Sequence, residues 1–234
     1  MNSVMAGTLY LLGTVFGILG GIVGGKVLGS LITGTPIAGV NMLELAASEA
    51  AKTSAGAFFT FLMGISLMGM TLFLYPVFKK DSEELALGLV LFRGALEGTS
   101  YFVTVLGMLT MVALGGQYLT AGSNSTALQS MSNVLYQFMS LKTPYGTFAF
   151  LIGATCLYFS FYRTRLIPRW LSIWGLIGVI PYMLNAVLHL LHVDPGFGMA
   201  LDMPLAIQEL VMGAWLVIKG FTPKAIAALS AKKE

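Results

Sequence analysis

The stretch LALGLVLFRGALEGTSYFVTVLGMLTMVAL covers residues 85–114 and decides the fold. A helix needs about 20 mostly apolar residues to cross the hydrocarbon core of a membrane. This stretch is longer than that, and it contains only two charged residues, Arg93 and Glu97. It therefore predicts a transmembrane helix that carries two ionisable groups within the membrane.

Five further stretches are also apolar, and each is close to or above the length of about 20 residues that a membrane crossing needs. With residues 85–114 they predict an all-α polytopic membrane helix bundle of six transmembrane helices. The other five predicted spans cover approximately residues 5–28, 55–78, 145–162, 168–189 and 203–221. Nothing between the spans has the composition of an interdomain linker, so we expect a single domain over residues 1–234. The spacing of apolar residues at about 126–141 predicts an amphipathic helix, which either lies on the outer membrane interface or covers a cavity.

The composition agrees with a membrane protein. Hydrophobic residues make up 56% of the chain and charged residues 10%, whereas soluble domains carry roughly 25% charged residues. These values exclude a soluble enzyme, a nucleic-acid-binding protein and a disordered tail. Cys156 is the only cysteine, which excludes an internal disulfide and a metal site built from several cysteines.

The basic residues predict the orientation, because cytoplasmic ends of transmembrane helices carry an excess of lysine and arginine. Nine of the 13 basic residues fall on one side of the predicted bundle: Lys79, Lys80, Arg163, Arg165, Arg169, Lys219, Lys224, Lys232 and Lys233. Both termini are therefore predicted to be cytoplasmic. We expect a multi-pass protein of the inner, or cytoplasmic, membrane of a bacterium or archaeon.

The first span carries a glycine at every fourth position. This glycine stripe consists of Gly13, Gly17, Gly21, Gly25 and Gly29. Small residues at this spacing allow two helix backbones to approach closely in lipid. The stripe predicts either tight packing inside the bundle or an interface with a second copy or a partner membrane subunit.

Three ionisable residues are predicted to lie deep in the membrane, where charges are costly and usually face the bundle interior. With a rise of about 1.5 Å per residue, Arg93 lies roughly 12 Å and Glu97 roughly 18 Å from the cytoplasmic edge. Glu209, counted from the outer end of the sixth span, lies roughly 21 Å from the same edge. Arg93 and Glu97 are four residues apart and share one helix face.

If these groups meet, they form a cluster of one guanidinium and two carboxylates. Its excess negative charge predicts a binding site for a proton or a cation. The same groups could instead form a structural lock that fixes the helix register without any activity. Tyr101, on the face of Arg93 and Glu97, and Asn185, on the fifth span, complete the predicted border of an interior cavity.

A second polar face lies near the outer end of the fifth span. Asn185, His189 and His192 recur there at positions i, i+4 and i+7. Two histidines with a nearby carboxylate could bind a divalent metal ion. Histidines at a helix end also serve as interfacial hydrogen-bonding groups, and both interpretations stay open.

Three motifs suggest a family. They are LFRGALE at residues 91–97, RTRLIPRW at residues 163–170, and Glu209 followed by WLVIKG at residues 215–220. Their order resembles a family of prokaryotic six-helix membrane proteins known mainly as a domain of unknown function. The resemblance implies a single six-helix domain and a role for Arg93, Glu97 and Glu209, and it implies no particular activity.

We expect the protein to bind or translocate a small or lipid-like ligand in an intramembrane cavity, with no covalent catalysis and no cofactor. The alternative is an accessory or scaffold subunit of a larger membrane complex, which docks through the glycine stripe. A third hypothesis is an intramembrane metalloenzyme that uses His189, His192 and an acid. Membrane lipid is an expected partner in each case, and nucleic acid is not.

Overall fold

A computed structural model of the chain describes residues 2–33, 36–121, 125–191, 193 and 195–231. Helices account for every regular element in this part of the chain. They are α1 (Asn2–Thr33), α2 (Met42–Ser48), α3 (Ala50–Phe78), α4 (Glu83–Gly88), a π-helical segment (Leu89–Leu96), α5 (Glu97–Ala121), α6 (Thr126–Thr164), α7 (Arg169–Leu190), α8 (Gly198–Ile218) and α9 (Pro223–Ala231). The predicted all-α fold is confirmed.

Six helical stretches among the described residues are long and apolar enough to cross a membrane, which confirms the predicted number of spans. The third of them, Glu83–Ala121, joins α4, the π-helical segment and α5 in one run. Ser82 caps the start of this run, where its hydroxyl accepts a hydrogen bond from the Leu85 backbone amide at 3.3 Å. The orientation of the termini and the kind of membrane stay predictions.

One pair of predicted elements forms a single helix. The amphipathic segment at residues 126–141 and the span at residues 145–162 are both part of α6, which begins at Thr126 as the sequence suggests. Pro144 lies inside α6, at the boundary between the two predicted segments. An interior proline removes one helical hydrogen bond, and α6 accommodates this loss without ending. The position of residues 126–141 relative to a membrane stays a prediction.

The chain divides into two compact units. Unit 1 comprises Met1–Thr14, Ile65–Gly98 and Gly146–Glu234, and unit 2 comprises Val15–Gly64 and Thr99–Tyr145. The single domain over residues 1–234 stays a prediction, and each unit is described below by itself.

Small residues bring the helices of unit 1 together. A Cβ atom added to Gly178 of α7 would lie 3.2 Å from the Leu205 Cα atom of α8, so the two helices approach closely. Gly175, one turn earlier, leaves room for the ring of Tyr158 on α6. Phe78 and Phe161 meet edge to face in the same core, with ring centroids 4.9 Å apart. These contacts fix the helices that carry the polar groups of unit 1.

Close backbone contacts also build unit 2. A Cβ atom added to Gly56 of α3 would lie only 2.4 Å from the Gly24 Cα atom of α1. Tyr118 of α5 links two other elements, because its hydroxyl accepts hydrogen bonds from the side-chain amides of Asn41 at 2.9 Å and Gln129 at 3.3 Å. Asn41 also caps α2, accepting a bond from the Leu43 backbone amide.

Candidate functional site

A π-helical segment places Arg93 in the interior of unit 1. Arg93 lies within Leu89–Leu96, and Glu97 follows as the first residue of α5. Short π-helical insertions in α-helices occur frequently at functional sites. Gly153 of α6 packs against this segment so closely that an added Cβ atom would lie 2.5 Å from the Arg93 backbone nitrogen. The segment is therefore held against α6 by backbone contact.

Arg93 forms ion pairs with both acids that the sequence predicts. Its Nη2 atom donates to Glu209 Oε1 at 2.8 Å, and its Nη1 atom lies 3.3 Å from Glu97 Oε2. The Glu97 pair is local, because the two residues are separated by one helical turn. The Glu209 pair is long-range and joins the π-helical segment to α8.

Two tyrosines complete this site, which we call the polar cluster (Tyr10, Arg93, Glu97, Tyr158 and Glu209). The Tyr10 hydroxyl accepts a hydrogen bond from Arg93 Nη2 at 2.9 Å and donates one to Glu209 Oε1. The Tyr158 hydroxyl donates to the same Glu209 oxygen at 3.5 Å. The cluster therefore connects α1, the π-helical segment, α5, α6 and α8.

Aromatic rings cover the guanidinium of Arg93. Its Cζ atom lies 4.5 Å from the centroid of the Phe150 ring and 5.3 Å from the centroid of the Tyr10 ring. A desolvated cation over an aromatic face is stabilised by about 2 kcal/mol. The rings thus compensate part of the cost of burying the charge.

The members of the polar cluster differ in how accessible they are. The side chains of Arg93 and Glu97 are 2% and 4% exposed, whereas that of Glu209 is 19% exposed. All described hydrogen bonds to Glu209 end on Oε1. The cluster thus has a buried end at Arg93 and Glu97 and an accessible end at Glu209.

A second polar contact lies on α7 and α8. Asn185 Nδ2 donates to Asp202 Oδ1 at 2.9 Å, and Gly198 leaves space for the Asn185 amide. Asp202 and Glu209 are seven residues apart, so they share one face of α8 about 10.5 Å apart along its axis. On α7, Tyr182 lies one turn before Asn185 and meets the Phe150 ring at 5.4 Å between centroids. The polar groups of α7 and α8 thus extend from the Asn185–Asp202 contact towards the rings over Arg93.

The structure brings together some of the predicted site residues and not others. Arg93, Glu97 and Glu209 meet, which the sequence had left conditional. Asn185 lies in the same unit but bonds to Asp202 instead of joining the polar cluster. Tyr101 belongs to unit 2, on α5, and its side chain is half-buried.

The structure describes only one of the two histidines, so the predicted metal site at His189 and His192 stays a prediction. His189 is exposed in the last turn of α7, and His192 lies outside the described residues. Within the described part of the chain, no three His, Cys, Asp or Glu side chains gather in a group that could hold a metal ion.

The glycine stripe divides into packed and open positions. A Cβ atom on Gly13 would lie 3.0 Å from the Leu67 side chain in unit 1, and one on Gly17 would lie 2.6 Å from Met63 Sδ in unit 2. Gly25 adopts φ +58° and ψ −146°, which interrupts the regular helix and is readily accessible only to glycine. Added Cβ atoms on Gly21 and Gly29 would meet nothing within 4 Å. The interface role of the stripe stays a prediction.

The sequence-based prediction missed two aromatic members of the polar cluster and the ring that covers Arg93. Tyr10 and Tyr158 bond to the charged groups, and Phe150 covers Arg93. Tyr10 is the only tyrosine in the first predicted span. Because a buried tyrosine hydroxyl usually has a hydrogen-bond partner, its position in an apolar span was a usable signal. Nothing comparable distinguishes Tyr158 and Phe150 from the many other aromatic residues.

The family model described as a domain of unknown function, DUF4386, matches residues 5–220. This match covers most of the chain, and the protein therefore belongs to that family. The predicted resemblance to a membrane family of unknown function is confirmed. No curated protein and no solved structure matches the chain.

Proposed function

We propose that this multi-pass member of the DUF4386 family binds a small or lipid-like ligand within the membrane, at the Glu209 end of the polar cluster. Binding and translocation would both begin with this contact. In this proposal Arg93 and Glu97 position the carboxylate of Glu209, and Glu209 touches the ligand.

The observation that supports this proposal is the unequal burial of the cluster. Arg93 and Glu97 are almost fully buried, while Glu209 keeps 19% of its side chain exposed. A group that served only to neutralise Arg93 would gain from complete burial, because water and lipid head groups compete with an exposed ion pair. Ionisable groups at membrane depth commonly mark ligand or ion pathways.

The charge of the cluster indicates the chemistry of the ligand. Two carboxylates face one guanidinium, so a cationic or hydrogen-bond-donating head group complements the site. Ile207 and Leu210, which flank Glu209 on α8, are both 45% exposed and offer an apolar surface for the rest of the molecule. An amphiphile with an amine or hydroxyl head therefore fits better than an anionic one.

The closest competing explanation is a structural lock. All three charges of the cluster have partners in the structure, and a paired cluster fixes the π-helical segment against α8 without any ligand. If the cluster is only a lock, Glu209 contributes to the stability of the protein, and the protein binds probes with different head groups equally well. The two explanations thus differ in what a Glu209 variant does to binding.

The decisive experiment uses three probes with the same alkyl chain and different head groups: dodecylamine, dodecanol and dodecanoate. Binding to delipidated protein in a non-ionic detergent is measured by tryptophan fluorescence, below the micellar concentration of each probe. We expect the amine to bind about tenfold more tightly than the carboxylate, because a charge-assisted hydrogen bond contributes about 1.5 kcal/mol or more.

The variant Glu209→Gln should remove this preference and leave the protein folded. Glu44→Gln, which replaces an exposed acid on α2 in unit 2, is the matched control and should keep the preference. Equal binding of the three probes by the unmodified protein would overturn the proposal. So would a Glu209→Gln variant that still prefers the amine, because the lock would then explain the cluster completely.

Two positions of the glycine stripe support the scaffold alternative, because a Cβ atom added to Gly21 or Gly29 would meet nothing within 4 Å. It requires that a second chain contacts this side of α1. Native mass spectrometry from mild detergent tests it: Gly21→Leu should dissociate a complex that the unmodified protein forms. A complex that survives this substitution would contradict docking through the stripe.

A further inference from the structure

A basic cavity lies in unit 1 at the connection between α6 and α7. Its volume is about 550 Å³. Four basic side chains and one carboxylate line it, and they are Arg163, Arg165, Arg169, Lys224 and Asp81. We call this cavity the basic pocket. Four cations against one acid give it a formal excess of three positive charges.

The backbone around the basic pocket is held in place by specific contacts. Thr222, just before α9, donates from its backbone amide to the Leu166 carbonyl at 2.9 Å. Arg165 adopts φ +55°, an uncommon value for a residue other than glycine, and this turns the chain after α6. Arg169 and Lys224 stand in the first turns of α7 and α9. The positive ends of the two helix dipoles add to the side-chain charges.

Most of the positive charge in the basic pocket is not neutralised. Arg163 pairs with Asp81 at 2.9 Å between Nε and Oδ2. In the part of the chain that the structure describes, Arg165, Arg169 and Lys224 form no salt bridge. Arg169 instead stacks on the Tyr162 ring, with its Cζ atom 4.9 Å from the ring centroid. Such a concentration of unpaired cations attracts an anion with several charges or oxygens.

The remaining wall of the basic pocket is apolar. Ala225, Ala228 and Leu229 of α9 line it, so the cavity combines a cationic rim with a hydrophobic side. Trp170, adjacent to Arg169, is 52% exposed and packs against Trp174 and Trp215. Tryptophans concentrate at the boundary between lipid and water. The surroundings thus suit a phosphate group that carries an apolar moiety.

We infer that the basic pocket binds a phosphate monoester or diester group, such as the head group of an anionic phospholipid. The site is separate from the polar cluster, which selects for the opposite charge, and it does not depend on the proposed function of Glu209. Arg165, Arg169 and Lys224 contact the phosphate oxygens, and Arg163 remains paired with Asp81.

The test compares three probes on delipidated full-length protein in dodecyl maltoside. Dioleoyl phosphatidylglycerol and dioleoyl phosphatidylcholine share their acyl chains and differ in net charge, and inorganic phosphate carries no chain. Binding is measured by native mass spectrometry for the lipids and by microscale thermophoresis for phosphate. We expect phosphatidylglycerol to bind at least tenfold more tightly than phosphatidylcholine at 0.1 M salt, and less so at 0.5 M salt.

Single substitutions Arg165→Gln and Lys224→Gln should each weaken phosphatidylglycerol binding about fivefold, as expected for one basic residue facing an anionic head group. Lys79→Gln is the matched control, since Lys79 is exposed, belongs to the same unit and does not line the cavity. Phosphatidylglycerol binding by this control variant should stay within about twofold of that by the unmodified protein. Far-ultraviolet circular dichroism and the thermal midpoint show that each variant is folded.

The outcomes separate the two sources of the phosphate group. Preference for phosphatidylglycerol with no measurable affinity for inorganic phosphate identifies a lipid head group. Tight binding of inorganic phosphate, lost in the same two variants, identifies a soluble phosphate compound. Equal binding of the two lipids with no binding of inorganic phosphate would overturn the inference. Binding that survives the double variant R165Q/K224Q would also overturn it.

Discussion

Replacing Arg93 by glutamine should be among the most damaging changes in the protein. Arg93 is 2% exposed, and it is the only cation of the polar cluster. The substitution leaves the buried carboxylate of Glu97 and the partly exposed carboxylate of Glu209 without a compensating charge. It also leaves the Tyr10 hydroxyl without the donor that Arg93 Nη2 provides at 2.9 Å. Both losses act on the same helices.

The magnitude follows from the contacts. Removing one partner from a buried ion pair costs about 3–5 kcal/mol, because the remaining charge stays buried without compensation. Loss of the stacking on Phe150, which lies 4.5 Å from the guanidinium, adds about 1–2 kcal/mol. Because the terms share one side chain they are not additive, and we expect Arg93→Gln to lower the free energy of unfolding by about 4 kcal/mol.

The assay is reversible unfolding by sodium dodecyl sulfate in mixed micelles, followed by circular dichroism. Lys52→Gln is the control, because Lys52 is 68% exposed and pairs with Glu49 at 3.5 Å, an arrangement that contributes about 0–1 kcal/mol. A loss below about 1 kcal/mol for Arg93→Gln would refute the reasoning, since it would mean that the buried carboxylates do not need their cation.

An apolar replacement of the whole charged set sharpens this prediction. The variant R93M/E97M/E209M removes both carboxylates together with the guanidinium, and such replacements are often neutral or stabilising. We expect it to recover most of the stability that Arg93→Gln loses, and to have no preference for an amine probe. A triple variant that is less stable than Arg93→Gln would contradict the electrostatic origin of the loss.

Two further predictions concern close backbone contacts. Gly153→Ala should lower the free energy of unfolding by about 1–3 kcal/mol, because its Cβ atom would lie 2.5 Å from the backbone of the π-helical segment; Gly116→Ala, in open space, is its control, and equal effects in the same unfolding assay would contradict the contact. Gly56→Ala should cost a similar amount, since its Cβ atom would lie 2.4 Å from the α1 backbone. Gly21→Ala, also in open space, should be neutral or stabilising, and a loss at Gly21 as large as at Gly56 would count against this packing of α1 and α3.

The sequence was sufficient to predict the spans and the charged core because both depend on simple costs. A long uninterrupted apolar segment forms a transmembrane helix in most cases. An ionisable side chain inside such a segment usually pairs with another polar group. Arg93 and Glu97 are one turn apart on any helix, so their contact needed no tertiary information. The meeting of Arg93 with Glu209 stayed conditional at that stage, because the depth estimates place these two residues roughly 9 Å apart and the sequence does not show that their helices are neighbours.

Other features depend on tertiary packing and were not predictable from one sequence. The π-helical segment is stabilised by the backbone contact at Gly153, which no local propensity encodes. Helix α6 continues through Pro144 although a proline usually ends or kinks a helix. Gly25 continues the regular glycine spacing in the sequence, yet its backbone adopts a conformation that interrupts the helix. At Gly153 the decisive contact joins two segments that are 60 residues apart in the sequence.

A structural lock and a ligand site need not exclude each other in the polar cluster. Arg93 and Glu97 belong to the π-helical run of one span, whereas Glu209 belongs to α8. The bond between Arg93 and Glu209 therefore does two things: it joins the two spans, and it restricts the carboxylate of Glu209 to one orientation. A ligand cation that approaches Glu209 competes with Arg93 for negative charge, so its binding should weaken the junction between these spans. The arginine side of this junction lies in the π-helical segment, and such insertions in α-helices occur frequently at functional sites. Under the proposed function, this coupling would give a reason for the placement of the arginine in that segment and of the accessible acid on α8.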